Sequence, residues 1–335
     1  MGLYRAPRLR TCSTWCGLCG SSRRRWGVGD RAAVLLLAHG TPDTLDEIPQ
    51  YLSNVTGGRP MPESVIEEIR HRYSLIGSSP LTRLTQEQGR LLGNELDVPV
   101  YVGMRNWKPY IKDTVHLMVE DGITSAVVIC LAPQNSRTSV GLYKRAVEAA
   151  AGDRLRIDFV EGWADDLLLA EAFAERLRPL WHALSREIGD PAPVLFTAHS
   201  VPQRTVEPGP DQPADPYADQ ARLTAENVAD CVPTLREWSF AFQSQGMSGG
   251  PWLGPTVEDT LTAMREAGHT TVIIHPIGFL CDHVEILYDI DIAFRDFGKN
   301  LGMRVERPRS LNSSPLLTAA LRGLAKNGLW RLAQA

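Results

Sequence analysis

The chain contains an internal repeat, and this repeat constrains the fold more than any other feature. Residues 36–42 (LLAHGTP) and residues 196–202 (FTAHSVP) each run from an apolar stretch into a histidine, a small residue and then a proline. A second pair, residues 122–129 (GITSAVVI) and 268–275 (GHTTVIIH), follows in the same order. The sequence therefore predicts a duplicated α/β protein whose two halves face each other. Ligands of such parallel sheets bind beyond the carboxyl ends of the strands, which places the predicted site in the cleft between the halves.

Strand-length apolar runs alternate with segments of helical period, and this alternation predicts parallel sheets. The predicted strands span residues 32–38, 98–104, 125–131, 156–160, 194–198, 238–243, 271–277 and 303–307. The main predicted helices span residues 111–121, 140–151, 165–188, 217–231, 257–267, 282–294 and 315–326. We expect a leader over residues 1–30, an N-terminal half over 31–175 and a C-terminal half over 176–328.

Size and charge exclude several classes of protein. A chain of 335 residues exceeds the length that one core usually serves, which agrees with two halves. A net charge of −4 gives no general attraction to nucleic acid, and no apolar run reaches the roughly 18 residues needed to span a membrane. The unclustered cysteines after the leader are typical of a reducing compartment, so we expect a cytoplasmic protein. We also expect a monomer.

The leader has its own composition. It contains many arginines, no acidic residue before Asp30, and the closely spaced Cys12, Cys16 and Cys19. Thiolates at such short spacing can hold an iron–sulfur cluster, but a fourth ligand is not evident, and an Arg-rich segment without apolar periodicity is typical of a transit-like or disordered extension. We expect no iron–sulfur cluster and a leader that is dispensable for folding.

Two histidines and two carboxylates are the candidate chemical groups. His39 and His199 follow the first strand of each half, and the duplication predicts that they lie on opposite walls of the cleft. Glu285 and Asp289 lie one turn apart on a helix that Asp282 is predicted to begin, as part of a capping box with Glu285. Imidazole facing carboxylate suits proton abstraction or delivery of a divalent cation. The alternative is structural: a capping or core histidine, and acids that compensate a helix dipole.

Other catalytic motifs do not fit. Ser200 directly follows His199, so the two cannot act as nucleophile and base, and no G-x-S-x-G elbow is present. The first strand is followed by no G-x-G-x-x-G, and there is no Walker A run, so the sequence does not support nucleotide binding.

A longer set of motifs resembles a known family. The matching segments are residues 40–42, 79–81, 103–109, 121–123, 131–134, 198–202, 242–246, 252–255 and 278–291. They resemble the ferrochelatases, which insert Fe²⁺ into porphyrins at the end of haem synthesis, over nearly the whole chain after the leader. The resemblance implies two Rossmann-like halves, related by duplication, around a porphyrin cleft.

The resemblance also assigns roles to individual residues. It implies that His199 binds metal or takes the pyrrole protons, that Glu285 is its partner across the macrocycle, and that Asp289 continues a path for metal or protons. The path is interrupted at Ala293, where relatives often have another acid, and His39 replaces a usual tyrosine. We expect His39 to be a further metal ligand. The remaining predicted substrate contacts are Arg59, Arg105, Asn106, Ser136 and Trp252, the two arginines as anchors for the porphyrin propionates.

The substrate is predicted less specifically than the reaction. The likeness is greater to the Gram-positive enzymes that use coproporphyrin III, with protoporphyrin IX as the alternative. Fe²⁺ is expected as a substrate, with no tightly bound cofactor and none of the [2Fe-2S] centre of animal relatives. Two other classes stay open: a sirohydrochlorin cobaltochelatase, and a tetrapyrrole-binding protein without turnover.

Overall fold

The computed structural model describes residues 31–246 and 250–334. The predicted leader, with Cys12, Cys16 and Cys19, lies outside the described residues. Within the described part of the chain, no helix is long and apolar enough to cross a bilayer.

The first half is built on a parallel sheet in the strand order β2-β1-β3-β4. Its strands are β1 (Ala32–Ala38), β2 (Val100–Met104), β3 (Ser125–Cys130) and β4 (Arg156–Val160). Its helices are α1 (Ile48–Thr56), α2 (Glu63–Ile76), α3 (Leu81–Gly93), α4 (Ile111–Glu120) and α5 (Val140–Ala151), and α6 (Leu167–Ile188) leads to the second half.

The second half repeats this arrangement in the order β6-β5-β7-β8. Its strands are β5 (Val194–His199), β6 (Trp238–Gln243), β7 (Thr271–Pro276) and β8 (Arg304–Glu306). Its helices are α7 (Tyr217–Asp230), α8 (Val257–Glu266), α9 (Val284–Leu287) and α10 (Arg295–Asn300), with a π-helical segment (Asp289–Phe294) between the last two, and α11 (Pro315–Gln334) ends the chain. The equivalent strand orders confirm the duplication that the sequence repeat predicts.

The two sheets share one hydrophobic core. Every residue of β1 and β3 is buried, as expected for Val- and Leu-rich central strands of a parallel sheet. A single buried cluster includes Leu36 of the first sheet, Phe173 of α6 and Phe196 of the second sheet. Because that core spans both halves, it fixes how the ends of β1 and β5 lie relative to each other.

Two predicted helices differ from the observed ones. The helix predicted over residues 282–294 is instead the short α9 followed by the π-helical segment, and helix continues through α10. The helix predicted over residues 315–326 extends to Gln334, past Gly328. Gly328 permits close packing here, since an added β-carbon would lie 2.6 Å from Cγ1 of Val127 on β3. The last helix of the chain therefore packs on the sheet of the first half.

Candidate active site

A cavity of about 290 Å³ lies between the carboxyl ends of the two sheets. His39 and Arg105 line it from the first half, and His199 and Glu285 line it from the second. The structure therefore places His39 and His199 on facing walls, as the repeat predicts. The expectation that Glu285 faces His199 across the cleft is wrong, because both belong to the second half and lie 3.5 Å apart on the same wall.

His199 is the last residue of β5, and several contacts fix its ring. Its Nδ1 donates a hydrogen bond to the carbonyl oxygen of Ser200, which directs Nε2 toward Glu285, 3.5 Å away at Oε1. Its own carbonyl oxygen accepts a hydrogen bond of 2.7 Å from the hydroxyl of Tyr217. The neighbouring backbone approaches closely at Gly278, where a β-carbon would lie 2.9 Å from Cα of Ala198. The imidazole is therefore held with one nitrogen available to the cavity.

Glu285 lies in the first turn of α9 between two histidines. Its Oε1 faces His199, and its Oε2 lies 3.6 Å from Nε2 of His283. Burial favours the neutral carboxyl, but the two histidines outweigh it and hold the pKa of Glu285 well below its usual range. Burial likewise opposes charge on His199, yet the Coulombic attraction and hydrogen bond of Glu285 raise the pKa of that imidazole. The pair therefore favours an imidazolium beside a carboxylate, which is a store for one exchangeable proton.

His39 lies on the opposite wall of the cavity and, unlike His199, favours the neutral imidazole. Its Nε2 lies 3.0 Å from the hydroxyl of Tyr51, and the side-chain amide of Asn106 lies 3.2 Å from Nδ1. Burial, reinforced by the charge of Arg105, lowers the pKa of His39 to about 3. The turn after it needs Gly40, whose φ is +81° and whose added β-carbon would lie 2.9 Å from the backbone nitrogen of Trp107. His39 is thus a neutral imidazole in a tightly fixed loop.

Asp289 lies deeper on the same segment as Glu285. Burial, together with the charge of Glu285, raises the pKa of Asp289 to about 6. Ser244 donates a hydrogen bond to its Oδ2, and Nη1 of Arg72 lies 3.8 Å from its Oδ1. Ser244 has a left-handed backbone with φ of 60°, a strained conformation that places its hydroxyl at the carboxylate. Asp289 is therefore a buried acid connected to the first half through Arg72.

The predicted substrate contacts divide into two groups. Arg105 and Ser136 line the cavity, and the Nε and Nη1 atoms of Arg105 are buried without a hydrogen-bond partner. Arg59 is exposed and donates from Nε to the carbonyl oxygen of Thr56, at 3.0 Å. Arg105 is thus a preformed cationic group facing the cavity, whereas Arg59 lies on the surface outside the lining.

The other two predicted contacts are also outside the lining. Asn106 is buried behind His39 and bonds to its ring, so it contacts the site through that histidine. Trp252 pairs with the backbone of Pro202 in an isolated bridge and packs on Gly246, where a β-carbon would lie 2.8 Å from its ring.

The predicted capping box at Asp282 is wrong. The residue that caps α9 is His283, and no side chain caps the helix. The Asp282 carboxylate instead accepts hydrogen bonds from Ser310 (2.6 Å) and from the side-chain amide of Asn312 (2.8 Å). Both partners follow β8, about 30 residues along the chain, so that no local pattern could reveal them.

The sequence prediction missed several residues that line the cavity, among them His283, Tyr51 and Tyr143. His283 stands two positions before Glu285 in the sequence, and that spacing was a usable signal. Tyr51 reaches His39 from α1, and the ring of Tyr143 lies under Arg105, with the guanidinium carbon 5.3 Å from the ring centre. Nothing in the pattern around either tyrosine distinguishes it from an ordinary core residue.

The duplicated parallel sheets, with histidines after the equivalent strands β1 and β5 and a carboxylate beside the second histidine, define a chelatase-type protein. The solved structure of SirB from Bacillus subtilis with Fe³⁺ has the same fold, with a TM-score of 0.56 at 14% identity, and the match covers 89% of this chain and 95% of that one. A family model described as Ferrochelatase matches residues 31–329, and the chain belongs to the ferrochelatase family.

Curated relatives agree with this assignment. A ferrochelatase from Acidobacterium capsulatum is 66% identical over 312 residues, covering 90% of this chain and 96% of that protein. A coproporphyrin III ferrochelatase from Geobacillus kaustophilus is 34% identical over 306 residues, covering 88% and 95%. The family match separates this chain from the sirohydrochlorin chelatases, with which it shares the fold.

Proposed function

We propose that the protein is a ferrochelatase, an enzyme that inserts Fe²⁺ into a porphyrin during haem biosynthesis. The observation that carries the proposal is the His199–Glu285 pair, 3.5 Å apart and facing His39 across one cavity. Family membership supports the same reaction.

The chemistry of insertion matches what these groups can do. A free-base porphyrin gives up two pyrrole protons as the metal enters, so the site needs acceptors for both. From the imidazolium–carboxylate state, the Glu285 carboxylate takes one pyrrole proton directly, and His199 takes the other only after it has released its own proton to solvent. Asp289, with its raised pKa, is placed to exchange protons or pass the metal toward Glu285. Each of these roles is a proposal that the substitutions in the Discussion test.

We propose coproporphyrin III as the preferred porphyrin, because it carries four propionates where protoporphyrin IX carries two. The unpaired Nε and Nη1 atoms of Arg105 support a carboxylate contact, since a buried guanidinium without a partner is costly unless a ligand supplies one. Ser136 lies on the same wall and adds a hydroxyl. Relatives named coproporphyrin III ferrochelatase support this choice at 31–34% identity.

The decisive experiment is an anaerobic insertion assay with purified protein. Coproporphyrin III and protoporphyrin IX are each supplied with Fe²⁺ or Co²⁺, and kcat/KM is measured from the absorbance of the metalloporphyrin. We expect Fe²⁺ insertion, with the higher kcat/KM for coproporphyrin III. Porphyrin binding without insertion would identify a tetrapyrrole-binding protein and reject the enzyme assignment.

We further propose a cytoplasmic monomer with Fe²⁺ as a substrate and no resident cofactor. One chain supplies both walls of the cavity, which supports a monomer. The described cysteines are free, and Cys130 and Cys281 are buried in separate hydrophobic clusters. Light scattering after size-exclusion chromatography measures the oligomeric state, and iron and sulfide analysis of the purified full chain tests for a cluster.

A further inference from the structure

Arg307 lies outside the cavity and is bound to the segment that carries Glu285 and Asp289. It follows β8, and only 10% of its side chain is exposed. Its Nε and Nη2 donate to the two carboxylate oxygens of Asp291, at 2.9 Å and 2.7 Å. A bidentate pair of this kind fixes orientation as well as distance.

The other edge of the same guanidinium reaches the beginning of that segment. Nη1 lies 3.3 Å from Oδ1 of Asp282 and donates to Oγ of Ser310 at 3.1 Å. Asp282 also accepts from Ser310, so that arginine, serine and carboxylate form one closed network. Arg295 also approaches Asp291, but at 4.0 Å and with 42% of its side chain exposed, which makes Arg307 the dominant cation here.

Asp282 and Asp291, the two acids that Arg307 binds, lie on either side of Glu285 and Asp289 in the sequence. Asp282 precedes Glu285, and Asp291 follows Asp289, so one guanidinium holds the segment on both sides of its functional carboxylates. Asp291 itself lies within the π-helical segment (Asp289–Phe294), and such segments are often found at functional sites. Without the arginine, two changes occur together: the segment loses the link that joins Asp282 to Asp291, and these two partly buried carboxylates lose their main countercharge.

We propose that Arg307 is a positioning residue for metal insertion, which sets the places of Glu285 and Asp289 relative to His199. This inference rests on the proposed roles of those two carboxylates. The porphyrin-facing groups of the first half, His39, Arg105 and Ser136, make no contact with the network. Loss of Arg307 therefore affects the metal step and leaves porphyrin binding intact.

The experiment compares Arg307→Met with a matched control elsewhere in the fold. Arg331 binds Asp158 with the same fork, at 2.9 Å and 2.7 Å, on α11 far from the cavity. We expect Arg307→Met to lower kcat/KM for Fe²⁺ by about 10- to 100-fold, since an ångström-scale displacement of a reacting group has effects of that size. The porphyrin Kd, from absorbance titration, is expected to change by less than about twofold, and Arg331→Met is expected to change neither quantity.

Two further variants keep the inference testable if Arg307→Met folds poorly. Asp291→Asn removes one charge and keeps the side-chain shape, and we expect it to lower kcat/KM for Fe²⁺ in the same way. Arg307→Lys retains charge without the fork and is expected to restore only part of the activity. In the double variant of Arg307→Met with Asp291→Asn, the two losses should be less than additive, because both break the same contact.

Several outcomes overturn the inference. The inference fails if Arg307→Met lowers kcat/KM for Fe²⁺ no more than Arg331→Met does. It also fails if Arg307→Met weakens porphyrin binding by the same factor as it lowers kcat/KM for Fe²⁺, or if the two losses are additive in the double variant. Glu285→Gln distinguishes this failure from failure of the proposed function. If Glu285→Gln abolishes insertion while Arg307→Met does not, only the positioning role is rejected; if both variants remain active, the roles of the carboxylates are rejected as well.

Discussion

Gly328 on α11 approaches Val127 on β3 so closely that a β-carbon at position 328 would lie 2.6 Å from one methyl group of the valine and 2.7 Å from the other. A β-carbon there would also lie 2.6 Å from Oδ2 of Asp158 on β4. The glycine thus sets how near the last helix of the chain lies to the sheet of the first half.

We predict that Gly328→Ala destabilises the protein by about 1–3 kcal/mol, the usual effect of overpacking a core. Gly323 on the same helix is the matched control, because a β-carbon there meets nothing within 4 Å. Gly323→Ala is expected to stabilise by about 0.5–1 kcal/mol through helix propensity. Urea unfolding of the two variants measures both effects, and equal changes in the free energy of unfolding would contradict the packing explanation.

The same glycine illustrates what the sequence could and could not predict. Strands β1, β4 and β6 were predicted with their observed bounds. Burial on both faces makes β1 a continuous apolar run, whereas β4 and β6 are edge strands that also contain polar residues. The helix from Pro315 was predicted to end at residue 326, whereas it continues past Gly328 to Gln334. The close approach at Gly328 depends on Val127, about 200 residues earlier, and no local pattern reveals it.

The candidate site also contains features that the sequence could predict and features that it could not. The duplication predicted that His39 and His199 share a cleft, since equivalent strands end at equivalent places. The capping box at Asp282 was wrong because Ser310 and Asn312, distant in sequence, bind that carboxylate. The π-helical segment also went unpredicted, since it changes backbone hydrogen bonding without changing the apolar pattern that reveals a helix.

The buried His275 on β7 is expected to lower the free energy of unfolding as the pH falls. Burial lowers its pKa to about 4 from 6.5, and its Nε2 donates to the carbonyl oxygen of Phe173 at 3.1 Å. Between those two values the unfolded chain binds more protons than the folded one. Stability therefore falls as the pH falls through this window, by up to about 3 kcal/mol, and this contribution levels off below the folded pKa.

The test of this effect is His275→Gln, which keeps a donor for Phe173 and cannot titrate. Free energies of unfolding for both proteins are measured from pH 7 to pH 4. The difference between wild type and variant should shift in favour of the variant as the pH falls, because all other titrating groups are common to both. Parallel curves would mean that His275 does not contribute to the acid sensitivity.

Arg105 is expected to determine the affinity for porphyrin carboxylates. Arg105→Met keeps the stem of the side chain and removes the charge, and it should raise KM for coproporphyrin III by about tenfold, as for a lost charge-assisted hydrogen bond. The effect on protoporphyrin IX should be smaller. Arg59→Met tests the other predicted anchor, and its exposed position leads us to expect a change below about twofold. Equal effects of Arg105→Met on both porphyrins would reject a propionate contact.

His199 and Glu285 are expected to be required together for insertion. His199→Ala and Glu285→Gln should each lower kcat by about 100- to 10,000-fold, the usual effect of removing a placed acid–base group. His182→Ala, at an exposed position on α6, controls for loss of a histidine as such. Thermal unfolding confirms that the variants are folded. Retention of more than about half of the wild-type kcat in either one would remove that residue from the reaction.

His39 is predicted to ligate the metal in the product complex. It is neutral, its ring faces the cavity opposite His199, and neutral imidazole is a better ligand for Fe²⁺ than a neutral phenol. The absorption and magnetic resonance spectra of bound iron porphyrin should therefore be those of histidine ligation, and His39→Ala should change them. Tyr51→Phe is the control, since it removes only the hydrogen-bond partner at 3.0 Å from Nε2 and should leave the ligand type unchanged. If the spectra of His39→Ala match those of the wild type, the iron is bound from the other wall, and His199 is then the histidine to test as its ligand.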